Sequence, residues 1–188
     1  VGPQLETRTT GILRMRILWI LSWLSIASAA VAESAPDFAA VTASGEAITL
    51  ADEVEQQQTI LFFWASWCPY CKALMPHLQS IRLEYGENVR ILALHFRDDA
   101  DGAAFIREQG YDFAVIADAD AIARRYGIHG TPGVVIPDQD LAIRFDLRKL
   151  PRRTMPAGED QPHSTQAAFR APYWAAEIRR ALDGLDEG

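Results

Sequence analysis

The stretch FFWASWCPYCKALMP, Phe62 to Pro76, holds both cysteines of the 188-residue chain, three positions apart. The run that leads into it, TILFFWA (Thr59–Ala65), is apolar without interruption and follows polar residues, as expected of a strand buried on both faces. After it, Leu74, Leu78, Ile81 and Tyr85 recur at i, i+4, i+7 and i+11, which is one face of a helix from Pro69 to Tyr85 closed by Gly86. Cys68 therefore falls where a buried strand has ended and a helix begins. Unpaired backbone N–H groups and the positive end of the helix dipole stabilise a thiolate there. Cysteines so placed have pKa values lowered to roughly 3.5–7.5, which makes them nucleophiles near neutral pH. Cys71 lies one turn on, in phase with Leu74 and Leu78. The pair is expected to be asymmetric, with an exposed attacking sulfur and a shielded one. Pro69 in the first helical turn sacrifices no hydrogen bond.

Two cysteines at this spacing also fit half of a metal site or a structural disulfide. Structural zinc needs four ligands, but there is no third cysteine, and His77, His95, His129 and His163 show no pairwise spacing. A disulfide closing so short a loop would constrain little of the unfolded chain. The pattern reads as a redox dithiol, with no metal and no cofactor expected beyond the Cys68–Cys71 couple.

Outward from this stretch, strand and helix signals alternate. Ala47–Leu50, VRILALHF (Val89–Phe96), FAVIAD, GVVIP and LAIRFDLR read as strands; DDADGAAFIREQG and DADAIARRYG read as helices ending at Gly110 and Gly127. A last helix is expected from Pro172, packing Trp174, Ile178 and Leu182 inward. Residues 148–171 are rich in proline and charge, without periodicity, and are expected to form a long surface loop. Alternation of this kind argues for an α/β fold with a central mixed β-sheet flanked by helices.

The N-terminal region is of another kind. RMRILWILSWLSIASAAVA has basic residues, an apolar run and then small residues ending at Ala32, the order of a secretory signal peptide over residues 15–32. Its apolar run is shorter than the roughly 20 residues that span a bilayer, so cleavage is expected rather than a membrane anchor. Residues 1–14 precede Met15 and read as an upstream extension, leaving 33–188 as the folded domain. Removing residues 1–32 takes away Arg8, Arg14, Arg16 and Glu6 and leaves 15 basic against 24 acidic residues, a balance of −9. An acidic, exported protein is not expected to bind nucleic acid and works where disulfides persist.

FFWASWCPYCKALMP together with YGIHGTPGVVI resembles the thioredoxin superfamily, and the beginning APDF (Ala35–Phe38) is similar to its periplasmic, TlpA-like branch. The likeness runs from about Ala35 to Arg148. It implies a thioredoxin fold with Cys68 as nucleophile and Cys71 as resolving thiol. It also implies a substrate-facing surface made by Trp67, Pro69, Tyr70 and Thr131, and a cis peptide bond at Pro132. Such a turn leaves the backbone of Thr131 free to pair with an incoming peptide. The chain departs from the pattern at Phe62 and Leu74, where related proteins often carry an acid, and at Gly133, where haem-pathway members carry an acidic residue. General-base help for Cys71 must then come from elsewhere, and His95 and His129 are the candidates for proton transfer. Pro69-Tyr70 matches the dipeptide of glutaredoxins, whose potentials lie at about −200 to −230 mV.

The expected activity is periplasmic thiol–disulfide exchange with protein substrates, by a monomer recycled by a membrane-embedded redox partner. A copper-handling or oxidase-maturation chaperone, with soft thiolate ligands for Cu(I), and a non-catalytic peptide-binding module are the alternatives.

Overall fold

The protein is described by a computed structural model that covers residues 33–186 apart from Ala157 and Glu159, together with Gly2. The signal peptide expected at 15–32, and the expected upstream extension but for Gly2, lie outside the described residues. No helix among the described residues is long and apolar enough to cross a membrane.

Strands β1 (Ala39–Val41) and β2 (Ala47–Thr49) form an antiparallel ribbon, followed at once by helix α1 (Leu50–Gln56). The domain continues through β3 (Gln58–Trp64), α2 (Pro69–Tyr85), β4 (Val89–His95), α3 (Gly102–Glu108), β5 (Ala114–Ile116) and α4 (Asp120–Arg125). It ends with β6 (Gly133–Pro137), β7 (Ile143–Asp146) and α5 (His163–Asp186). The five-stranded sheet has the order β5-β4-β3-β6-β7, with β3, β4 and β5 parallel and β6 and β7 antiparallel. This is the mixed sheet expected from the sequence.

The central position of β3 explains its uninterrupted apolar run. Ile60, Phe62 and Trp64 enter a core shared with α2 and α5, whereas Leu61 and Phe63 enter a second core on the opposite face, with Leu50, Ile116 and Tyr126. Side chains alternate across a strand, and each of these is fully buried, a burial that stabilises by roughly 1.5–3 kcal/mol per large apolar side chain. One strand therefore ties the two layers together and delivers its C-terminal end to the site.

Two short elements, β1 and α1, escape the sequence reading. Thr49 caps α1 by accepting from the Asp52 N–H, so the Thr-x-x-Asp spacing was the available signal. The larger correction concerns 148–171. A single 3₁₀ turn occupies Leu147–Lys149, irregular chain ends at Pro162, and α5 begins at His163 rather than Pro172. Pro172 lies inside the helix and is exposed, so water can serve the carbonyl whose N–H partner it removes. The buried stripe Ala167, Ala171, Ala175, Ile178, Leu182 runs straight through it. Three alanines are faint markers of an apolar face, which is why the helix start went unread.

Candidate active site

Helix α2 begins immediately after Cys68, and Cys68 itself is its N-cap. The sulfur accepts a hydrogen bond from the backbone N–H of Cys71, at 3.1 Å. Both cysteines are free thiols. Cys68 is 1% exposed and Cys71 0%, so the expected exposed-and-shielded contrast is absent from the accessible surface. The capping bond turns the Cys68 sulfur back over the helix end instead of out to solvent.

The asymmetry is electrostatic. The Cys68 thiol is lowered to about 6, first by the hydrogen bond from the Cys71 thiol, against the opposing effect of burial. The Thr131 hydroxyl and the backbone N–H groups of Cys71 and Tyr70 add to the lowering. Burial pushes Cys71 far up, and its hydrogen bond to Cys68 and the negative charge of Cys68 push it further. Two thiols one turn apart are thus held in opposite protonation states near neutral pH.

Thr131–Pro132 is a cis peptide bond, immediately before β6, whose Gly133 pairs with Phe63. This pairing sets the Thr131 hydroxyl beside Cys68. A Cβ at Gly133 would stand 3.0 Å from Ile128 and 3.3 Å from Phe63, so an acidic residue has no room here without repacking. Phe62 and Leu74, where an acid was looked for, are fully buried apolar side chains; Phe62 stacks on Trp64 at 6.4 Å.

Trp67 is 56% exposed and donates from its indole N–H to the Arg97 carbonyl at 3.1 Å. Arg97 has a positive φ of 56°, and its guanidinium donates to the carbonyl of His129 at 2.5 Å. The next residue, Asp98, accepts from the Ser66 N–H at 2.5 Å and pairs with His95 Nε2 at 2.9 Å. Burial raises the Asp98 carboxyl, but hydrogen bonds from Ser66, Ala100 and His95 outweigh it and hold it at about 2. Gly102 leaves the space that the His95 ring fills, since a Cβ there would stand 2.7 Å from the ring. His95 also packs on Trp64, with ring centroids 4.7 Å apart.

Neither imidazole advanced for proton transfer hydrogen-bonds to a cysteine sulfur among the described residues. His95 is engaged with Asp98, and His129 contributes its carbonyl. The sequence reading missed Ser66, Arg97 and Asp98. Only the His95–Asp98 spacing at the end of a strand hinted at a pair; the left-handed turn at Arg97 that brings them together leaves no mark in composition.

On the opposite side, Tyr70 Oη donates to Gln166 Oε1 at 3.0 Å and lies 3.1 Å from His163 Nδ1. Its ring meets Trp174 at 6.1 Å and the Arg170 guanidinium at 5.8 Å. Among the described residues no group of three His, Cys, Asp or Glu side chains converges to hold a metal ion.

A mixed-sheet domain with C-P-Y-C at the start of a long helix, opposite a cis-proline, is of the thioredoxin-like class. Residues 31–146 match the AhpC/TSA family, more than half of the chain, and the protein belongs to that family. It is 29% identical over 116 residues to the thioredoxin-like protein YneN of Bacillus subtilis, covering 60% of this chain and 68% of that one. It is 31% identical over 114 residues to the thiol-disulfide oxidoreductase ResA of Bacillus anthracis, covering 58% of this chain and 65% of that one. The chain thus spans about two thirds of the length of these relatives. A putative thiol:disulfide interchange protein DsbE from Chlorobium tepidum superposes with a TM-score of 0.55 at 26% identity, covering 74% of this chain and 96% of that one.

Proposed function

We propose that the protein is an exported thiol–disulfide oxidoreductase that exchanges disulfides with protein substrates through Cys68 and Cys71. The observation that carries this reading is the opposed pair of thiols, with Cys68 held at about 6 and Cys71 pushed up, beside the Thr131–Pro132 turn. The names of the relatives support the same chemistry, and the leader-like order of residues 15–32 supports export to the periplasm.

In the reducing direction the Cys68 thiolate attacks one sulfur of a substrate disulfide. That S–S bond breaks, a mixed disulfide forms on Cys68, and the second substrate sulfur leaves as a thiolate. Cys68 then no longer carries the charge that helped keep Cys71 protonated. The Cys71 proton passes to the departing thiolate, and the Cys71 sulfur attacks Cys68. The substrate sulfur bound to Cys68 leaves as a thiolate and takes a proton from water, so the substrate ends as a dithiol and Cys68–Cys71 remains as a disulfide. Trp67, Pro69, Tyr70 and Thr131 border the approach. A membrane-embedded reductant would restore the dithiol of a monomeric enzyme; held oxidised, the same couple would donate disulfides.

The test is a pair of variants. Cys68→Ser is expected to abolish insulin reduction, and Cys71→Ser to accumulate a substrate adduct on Cys68, visible by mass spectrometry. Insulin reduction that persisted in Cys68→Ser would overturn the reading.

A further inference from the structure

The first turns of α5 occupy a place that the exchange chemistry does not require. Helices α2 and α5 run side by side in parallel. Near their C-terminal ends Tyr85 Oη donates to Asp183 Oδ1 at 2.6 Å, and Arg179 pairs with Glu84 at 2.7 Å. Near their N-terminal ends Tyr70 meets Gln166, Arg170 and Trp174. Because α5 starts at His163 and not at Pro172, it is longer by nine residues, about 13.5 Å at 1.5 Å per residue. That added length brings its first turn to the Tyr70 side chain. Without it, Tyr70 would keep only Trp174 of these partners on this side.

The addition is packed rather than loose. Gln166, Ala167, Arg170 and Ala171 are buried, as is Met155 in the preceding segment. Gln166 Nε2 donates to the Gln161 carbonyl at 2.8 Å, so one amide joins that segment to the Tyr70 hydroxyl. Arg153 stacks on Tyr173 at 5.0 Å, pinning the segment to the outer face of α5. All of this lies beyond residue 146, where the family match ends.

Cys68, two residues before the Tyr70 that meets this wall, is 1% exposed, whereas Trp67 is 56% exposed. A sulfur attacks a disulfide along the S–S axis, so both substrate sulfurs must line up with one that sits below the surface. We infer that Gln166, acting through Tyr70, is a specificity-determining positioning residue. It holds the α5 side of the site closed, so that small disulfides reach Cys68 freely and disulfides on bulky folded proteins are disfavoured. This inference rests on the proposed exchange activity of Cys68 and sets which substrates that activity accepts.

The experiment measures the second-order rate at which the reduced protein is oxidised by bis(2-hydroxyethyl) disulfide and by insulin. No added reductant is needed, since the protein dithiol supplies both electrons. Gln166→Ala is expected to raise the insulin rate about tenfold, as the Tyr70 hydroxyl loses its buried partner and keeps only the exposed His163 ring, with the small-disulfide rate within about twofold of wild type. Gln166→Glu keeps an acceptor for Tyr70 and is expected to restore the wild-type ratio of the two rates. Rates that change in parallel in Gln166→Ala, or an unchanged ratio, would overturn the inference. A wild-type protein oxidised by neither disulfide would instead remove the exchange reading on which it stands.

Discussion

The two sides of the Cys68 site are held in different ways. On the Trp67 side the side chains of the turn after β4 grip main chain: Asp98 holds the Ser66 N–H and Arg97 holds the His129 carbonyl. On the Tyr70 side α5 grips side chain, through Gln166, Arg170 and Trp174. A main-chain grip depends on where the backbone runs and tolerates many residues at the positions held. A side-chain grip depends on the identity of both partners. The first side should therefore fail only when the gripping residues change, and the second when either member changes.

The strongest way to break the contrast is Asp98→Ala. It strips the Ser66 N–H and the buried His95 ring of a charged partner, whose side chain is 7% exposed. Loss of a hydrogen bond to a buried charged group costs roughly 1.5–3 kcal/mol, and a fall in Tm of about 4–10 °C is expected by thermal unfolding. An unchanged Tm would mean that Ser66 is positioned by other contacts. The carboxyl is held at about 2, below its ordinary value. Its contribution is therefore complete above that ordinary value and is lost as pH falls through about 2.

A finer test acts on the thiol alone. Thr131→Val removes a hydroxyl that helps lower Cys68, and the midpoint for iodoacetamide alkylation is expected to move up from about 6. Alkylation should slow by about threefold at pH 6 and match wild type near pH 9, where Cys68 is ionised in both proteins. A profile that does not move would assign the lowering to the Cys71 bonds. The sign carries over to stability. Cys68 titrates lower folded than unfolded, so its contribution to the reduced protein is full above the unfolded pKa and is lost as pH falls through about 6.

The smallest effect is expected of His129→Ala. Its carbonyl, not its imidazole, is held by Arg97, so turnover and Tm should both stay close to wild type, within about 0.5 kcal/mol in stability. A large loss of turnover with Tm unchanged would return the ring to a role in proton transfer.

How much could be read beforehand follows from the same distinction. Strand β3 and helix α2 are long, with an apolar run and a 3.6-residue stripe, and both are found at their expected places. The cysteines and Pro132 were legible because each carries its chemistry in its own residue type. Strands of three residues and a helix of seven leave too few positions for a period to emerge, so β1 and α1 were missed. The start of α5 was missed because alanines and a proline mask its buried face. Arg97 and Asp98 read as ordinary loop charges.

The sequence by itself determined that a dithiol would stand at the mouth of a helix in an α/β domain, because strand period, helix period and C-x-x-C spacing are local properties. Only the tertiary structure decided how that dithiol is enclosed. It turned Cys68 inward as the helix cap, set the Thr131 hydroxyl beside it, and laid the first turn of α5 against Tyr70. The last two contacts join residues 63 and 93 to 96 positions apart, and such pairings are set by how sheet and helices pack, which no local period encodes.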